Sequence, residues 1–175
     1  MQIKIDIDVN NYNGGPKIKI FLSDELYFDK TLTKPGPQTI KIDYDKDELK
    51  NFVLEHYGKD MDNDTLVSGD KIVSDKGFTI HKISFAQITL HNEIYDLDFI
   101  TQQGTVVKNN NYVGYNGKYV IDFNGKNLVT WHLGLQKSFI NKQKSYNFEE
   151  FKNEIFQNKT YQVEYYYELV IVDSS

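Results

Sequence analysis

The 175-residue chain has no cysteine and no arginine, only three prolines and one tryptophan, and no apolar run near the length of a membrane span. Each absence excludes something. Without cysteine there is no disulfide framework, thiolate metal site or thiol nucleophile. Without arginine the bidentate forks that read phosphate and guanine are missing. The 20 cations are all lysines, outnumbered by 25 acids for a net charge of −5. Most lysines sit in alternating segments such as Lys41-Ile42-Asp43, which builds no basic stripe, so nucleic acid is not an expected partner. The opening Met1-Gln2-Ile3-Lys4-Ile5-Asp6 carries no signal-like apolar stretch. The expectation is therefore a soluble product, bound to no membrane, that stays in the cytoplasm or leaves it in an assembly or by lysis.

What the chain does have is period-two alternation. Ile3-Ile5-Ile7-Val9, Ile18-Ile20-Leu22 and Ile40-Ile42-Tyr44 each alternate with polar neighbours and end in Gly, Pro or Asp, the pattern of half-buried antiparallel strands. Strands are predicted at Ile3–Val9, Lys17–Leu22, Leu26–Leu32, Gln38–Tyr44, Asn51–Tyr57, Lys71–Val73, Phe78–Phe85 and Ile88–Leu90. A slip in phase between Ile80 and Ile83 predicts a bulge or a bend. Gly58–Asp70 reads as a loop. From Ile94 a second segment begins, in which Asn116-Gly117 and Asn124-Gly125 flank a six-residue strand and predict a three-stranded meander through type I′ turns. Asn147 and Glu150 form a capping-box pattern before Phe148, Phe151, Ile155 and Phe156 at helical spacing, which predicts a short helix at 147–157. A last strand, Thr160–Val172, follows. The predicted fold is mainly β, an antiparallel sandwich of jelly-roll type over 1–93, with a C-terminal meander and one short helix over 94–175 that either extends the sandwich or stands apart from it.

Candidate sites are few. Asp60-Met61-Asp62-Asn63-Asp64 alternates hard oxygen ligands as calcium requires, but Thr65 and Lys71 stand where an EF-hand needs Gly and Glu. A lectin-type calcium loop on Asp60, Asp62 and Asp64 remains the metal candidate, beside the plainer reading of a solvated acidic turn. His56, His81, His91 and His132 lack a second histidine at ligand spacing, and His56 alternates with Phe52 and Leu54, which makes it a core residue before a zinc ligand. No serine sits in a nucleophile elbow, and Glu93, Asp96 and Asp98 are not marked out among the 25 acids, so no enzyme is expected. Aromatics are abundant, with 13 Tyr and 11 Phe. Tyr112, Tyr115 and Trp131 are the candidates for stacking on a ligand such as a sugar, and Tyr161, Tyr165 and Tyr167 share one strand face suited to an interface.

Two stretches carry a family resemblance. Leu54-Glu55-His56-Tyr57-Gly58-Lys59 with the acidic loop and Phe78–Leu90, and then Tyr112–Tyr119 through Phe123 to Trp131, resemble small β-sandwich proteins of marine tailed cyanophages, which in turn look like calcium-dependent xylan-binding modules. The richness in Asn, Ile, Lys and Tyr without Arg also fits an AT-rich coding genome. The resemblance implies a non-enzymatic structural or decoration protein of the virion, assembled in the host cytoplasm, that contacts other virion proteins or its own copies through a tyrosine-rich surface. The alternative it implies is a calcium-dependent carbohydrate-binding module recognising host or polysaccharide glycans.

Overall fold

The computed structural model describes residues 1–46 and 48–135. The helix expected at 147–157 and the strand expected at 160–172, with Tyr161, Tyr165 and Tyr167, lie outside these. Met1–Leu133 is one compact unit. Among the described residues no helix is long and apolar enough to cross a membrane.

Among the described residues, alternation becomes strand wherever it was expected. The first nine strands are β1 (Gln2–Asn10), β2 (Lys17–Leu22), β3 (Glu25–Thr31), β4 (Gly36–Asp43), β5 (Asn51–Tyr57), β6 (Thr65–Ser68), β7 (Lys71–Asp75), β8 (Gly77–Phe85) and β9 (Ile88–Leu90). After a 3-10 turn at Asn92–Asp96 come β10 (Phe99–Thr101), β11 (Val106–Val107), β12 (Tyr112–Val113) and β13 (Gly117–Asp122). One sheet runs β12-β8-β1-β4, with β9 also on β8, and the second runs β11-β10-β13-β5-β2-β3. Every pairing in them is antiparallel.

Their inner faces make a sandwich core. Ile3, Ile5, Ile7, Phe78, Ile83 and Phe85 of the first sheet meet Ile18, Ile20, Phe52, Leu54, Tyr119 and Ile121 of the second, all buried. The Phe85 ring stands edge-on to Phe52 at 5.3 Å and to Phe123 at 5.5 Å, which ties the layers together. The predicted bulge is present, because the β1–β8 register slips between Asp6/Ile7 and passes over His81.

Two expectations change. Gly58–Asp70 is not all loop, since β6 pairs with β7 in a two-stranded ribbon that joins neither large sheet. Of the two arrangements open for the segment from Ile94, its described strands extend the sandwich, since β10, β11 and β13 complete the second sheet and β12 extends the first. The meander around the Asn-Gly dipeptides does not form. Its central strand exists as β13, but β12 before it pairs with β8, and Asn124-Gly125, at φ 53° and 66°, leads into helical residues at 128–135. Asn116-Gly117 is not a positive-φ turn. Gly117 is needed for space, since a Cβ there would lie 2.4 Å from the Ile100 carbonyl oxygen. The Asn116 amide is used elsewhere. Its oxygen accepts from Lys59 N and its nitrogen donates to Lys59 O, both at 2.8 Å, so the side chain clamps the loop that leaves the neighbouring β5 at the same end of the sheet.

Candidate functional site

Where the ribbon leaves the sandwich, a polar cluster is buried in its neck. The Lys59 ammonium, whose side chain has 0% exposure, pairs with Asp75 and also donates to the Gly114 carbonyl. Both Asp75 oxygens are occupied, Oδ1 further accepting from Thr65 Oγ1 at 2.7 Å and Oδ2 from the Tyr112 hydroxyl at 2.5 Å. Burial, and then the hydrogen bond to Asp75, push the Tyr112 phenol above its ordinary pKa, and it stays protonated. The sandwich forces this pairing, because an ammonium or carboxylate buried alone is far too costly to retain.

Beside this cluster lies an open cleft of about 430 Å3, lined by Val9, Asn10 and Asn11 at the end of β1, by Pro35, by Ile72–Asp75 of β7, and by Tyr112. That size falls within the usual range for small-ligand sites. Its walls combine an aliphatic side, Ile72 and Val73, with amides, a serine hydroxyl and the Tyr112 ring. Asn10, on the β1 lip, lines the cleft beside Tyr112 of the polar cluster.

Of the residues expected from sequence, Tyr112 lines the cleft, while Tyr115 and Trp131 do not. Tyr115 is exposed, and its carbonyl lies 2.9 Å from His56 Nδ1. Trp131 is buried, stacked edge-on to Phe123 at 4.9 Å, and its ring serves the core. His56 is a core residue as the alternation required. Burial is the main cause that lowers its pKa to about 4, against the opposing hydrogen bond with Tyr115.

Asp60, Asp62 and Asp64 share one turn but do not converge on a common point. Asp60 accepts from Asp62 N at 3.0 Å and from the Asn63 amide at 2.7 Å, and these bonds hold its carboxyl below the ordinary range. Asp64 is buried. Its Oδ2 accepts from Asp60 N at 2.9 Å and meets Lys76 Nζ at 2.6 Å, and its Oδ1 accepts from Asn13 at 3.2 Å. Burial alone would raise the Asp64 pKa, but Lys76 and the Asp60 amide together bring it below the ordinary value. Among the described residues no three His, Asp or Glu side chains are grouped to hold a metal. As folded, the turn does not fit calcium, because an ammonium already occupies the position next to its buried carboxylate.

Lys59, Asp75 and Lys76 were not singled out from the sequence. Charged residues flanking a strand read as solvated ends, and only the crossing of the chain at the ribbon neck buries them.

Comparison with known proteins adds a likeness of fold. No family model matches the chain. No curated protein matches it either. Among solved structures, "vCBM60 in complex with galactobiose" superposes with a TM-score of 0.49 at 11% identity, over 70% of this chain and 98% of the other. A selenomethionine form of vCBM60, from work linking two families of calcium-dependent carbohydrate binding modules by circular permutation, gives 0.45 at 11% identity over 69% and 89%. Likeness at this level is silent on ligand and metal.

Proposed function

We propose that the protein is a non-catalytic β-sandwich module that binds glycan in the cleft between the end of β1, β7 and Tyr112. One observation carries this reading. The cleft brings together hydrogen-bonding side chains, Asn10 and Asn11 at the end of β1 and Ser74 on β7, with the apolar Ile72 and Val73 of β7. A pyranose needs both, since its hydroxyls seek hydrogen bonds at the rim while its C–H face seeks apolar contact. The other reading, virion decoration through Tyr161, Tyr165 and Tyr167, rests on residues outside those described.

Calorimetric titration against a panel of soluble polysaccharides, with calcium and with chelator, tests it. Binding to at least one glycan is expected, and Asn10→Ala or Asn11→Ala should weaken it about tenfold, the loss of one hydrogen bond. Tyr115→Ala should leave affinity unchanged. Silence across the panel in both conditions would overturn the proposal.

A further inference from the structure

Two ion pairs cross at the neck of the β6–β7 ribbon. Lys59 and Asp64 lie on the chain entering the ribbon, and Asp75 and Lys76 on the chain leaving it. Lys59 reaches across to Asp75, and Lys76 reaches back to Asp64. A backbone bond from Lys76 N to Asp64 O, 2.9 Å, closes the neck between them. All four side chains are buried or nearly so, the most exposed being Lys76 at 13%. The ribbon has no strand pairing with the sandwich, and its Leu66, Val67, Ile72 and Val73 are exposed. The neck is therefore what sets the ribbon's position, and with it the β7 wall of the cleft.

We infer that this crossed lysine clasp holds the ribbon and the cleft wall in place with no divalent cation, so that the chain departs from the calcium dependence its resemblance implies. Chemistry supports the assignment. A calcium ion draws together carboxylate and carbonyl oxygens from separate segments. Here two ammonium groups do the same, Lys59 joining the Asp75 carboxylate to the Gly114 carbonyl and Lys76 engaging Asp64. Calcium at Asp64 would have to displace Lys76 and leave a largely buried cation without its partner, which is unfavourable. The inference concerns the ribbon's anchoring and stands whether or not a glycan occupies the cleft.

The test uses the full chain, stripped of metal with EGTA and then titrated with calcium. A melting temperature constant within about 1 °C up to millimolar calcium is expected, since a cation that does not bind the native state cannot stabilise it. A rise of several degrees, or stoichiometric calcium binding that Asp64→Asn abolishes, would overturn the inference. A second arm follows limited proteolysis. Lys76→Met should speed cleavage within Thr65–Asp75 about tenfold or more while far-ultraviolet circular dichroism of the sandwich is retained, as expected when a local opening becomes cheaper. Unchanged cleavage in a folded Lys76→Met protein would overturn it too. Should that variant fail to fold, Asp64→Asn with its lysine intact provides the same readout. Glycan binding that requires calcium would overturn the clasp but keep the proposed function, whereas calcium-indifferent stability with no glycan bound would do the reverse.

Discussion

Ala86, in the exposed turn between β8 and β9, sits at φ 53°, in the left-handed region where a Cβ is unfavourable. Ala86→Gly should therefore stabilise the protein by about 0.5–1 kcal/mol, read as a shift in denaturant midpoint at constant slope. Gly117 presents the opposite case. It has no positive φ, yet a Cβ there would press on the Ile100 carbonyl and the Phe99 ring, and Gly117→Ala should cost about 2–3 kcal/mol by overpacking. A fully tolerated alanine would contradict the close approach of β10 and β13. His56 couples the core to pH. Its folded pKa, about 4, lies below the ordinary value of 6.5 because burial penalises the charged ring. The unfolded chain thus binds the proton more readily between those limits. The neutral ring's contribution is complete above pH 6.5 and is lost as pH falls toward 4, by on the order of 3 kcal/mol. Unfolding curves at pH 7.5 and 4.5 should show this loss in the wild type and much less of it in His56→Leu. A His56 resonance titrating near 6.5 in the folded protein would contradict it.

At the scale of elements, the ribbon and the sandwich strands obey different rules. β1 alternates fully buried isoleucines with polar residues, so any shift of register by one would turn its apolar face to water. β6 and β7 have no such constraint on their outer residues. Val67 is 55% exposed and does not line the cleft, and Val67→Lys should change stability by no more than about 0.5 kcal/mol. A larger loss on thermal melting would mean that the ribbon's apolar residues are covered. The two-residue turn Ser23-Asp24 shows how an element boundary can be held without glycine. Both residues have positive φ, and Asp24 is secured by reciprocal bonds with the Asn51 side chain at 2.8 and 3.2 Å. Tertiary contact supplies there what Asn-Gly supplies locally at Asn124-Gly125.

For the whole sandwich, stability rests on the contact between layers. Phe52 and Phe85 meet across the two sheets, and Phe85, Phe123 and Trp131 continue the chain of rings into the helical residues at 128–135. Phe52→Ala should destabilise by about 3–5 kcal/mol, the cost of lost burial plus the cavity left behind. The reading fails if chemical denaturation shows less than about 1 kcal/mol, the value of a partly exposed side chain.

Period-two alternation was enough to determine β1 to β5, β8 and β9 of the sandwich, though not the short β10 and β11, together with the bulge beside His81 and the inward direction of His56, because burial on one face imposes its period on the chain. Strand partners are set otherwise. The Asn116-Gly117 dipeptide permits a hairpin, but the clamp on Lys59 and the crowding at Gly117 send β12 and β13 into different sheets. The site was legible only at Tyr112. Asp64 stands out in sequence only as a calcium candidate, Lys59, Asp75 and Lys76 look like solvated charges, and the four become a buried cluster only where the ribbon neck crosses. The energy that selects this pairing is the desolvation of charges brought together by the fold, a quantity no local pattern contains.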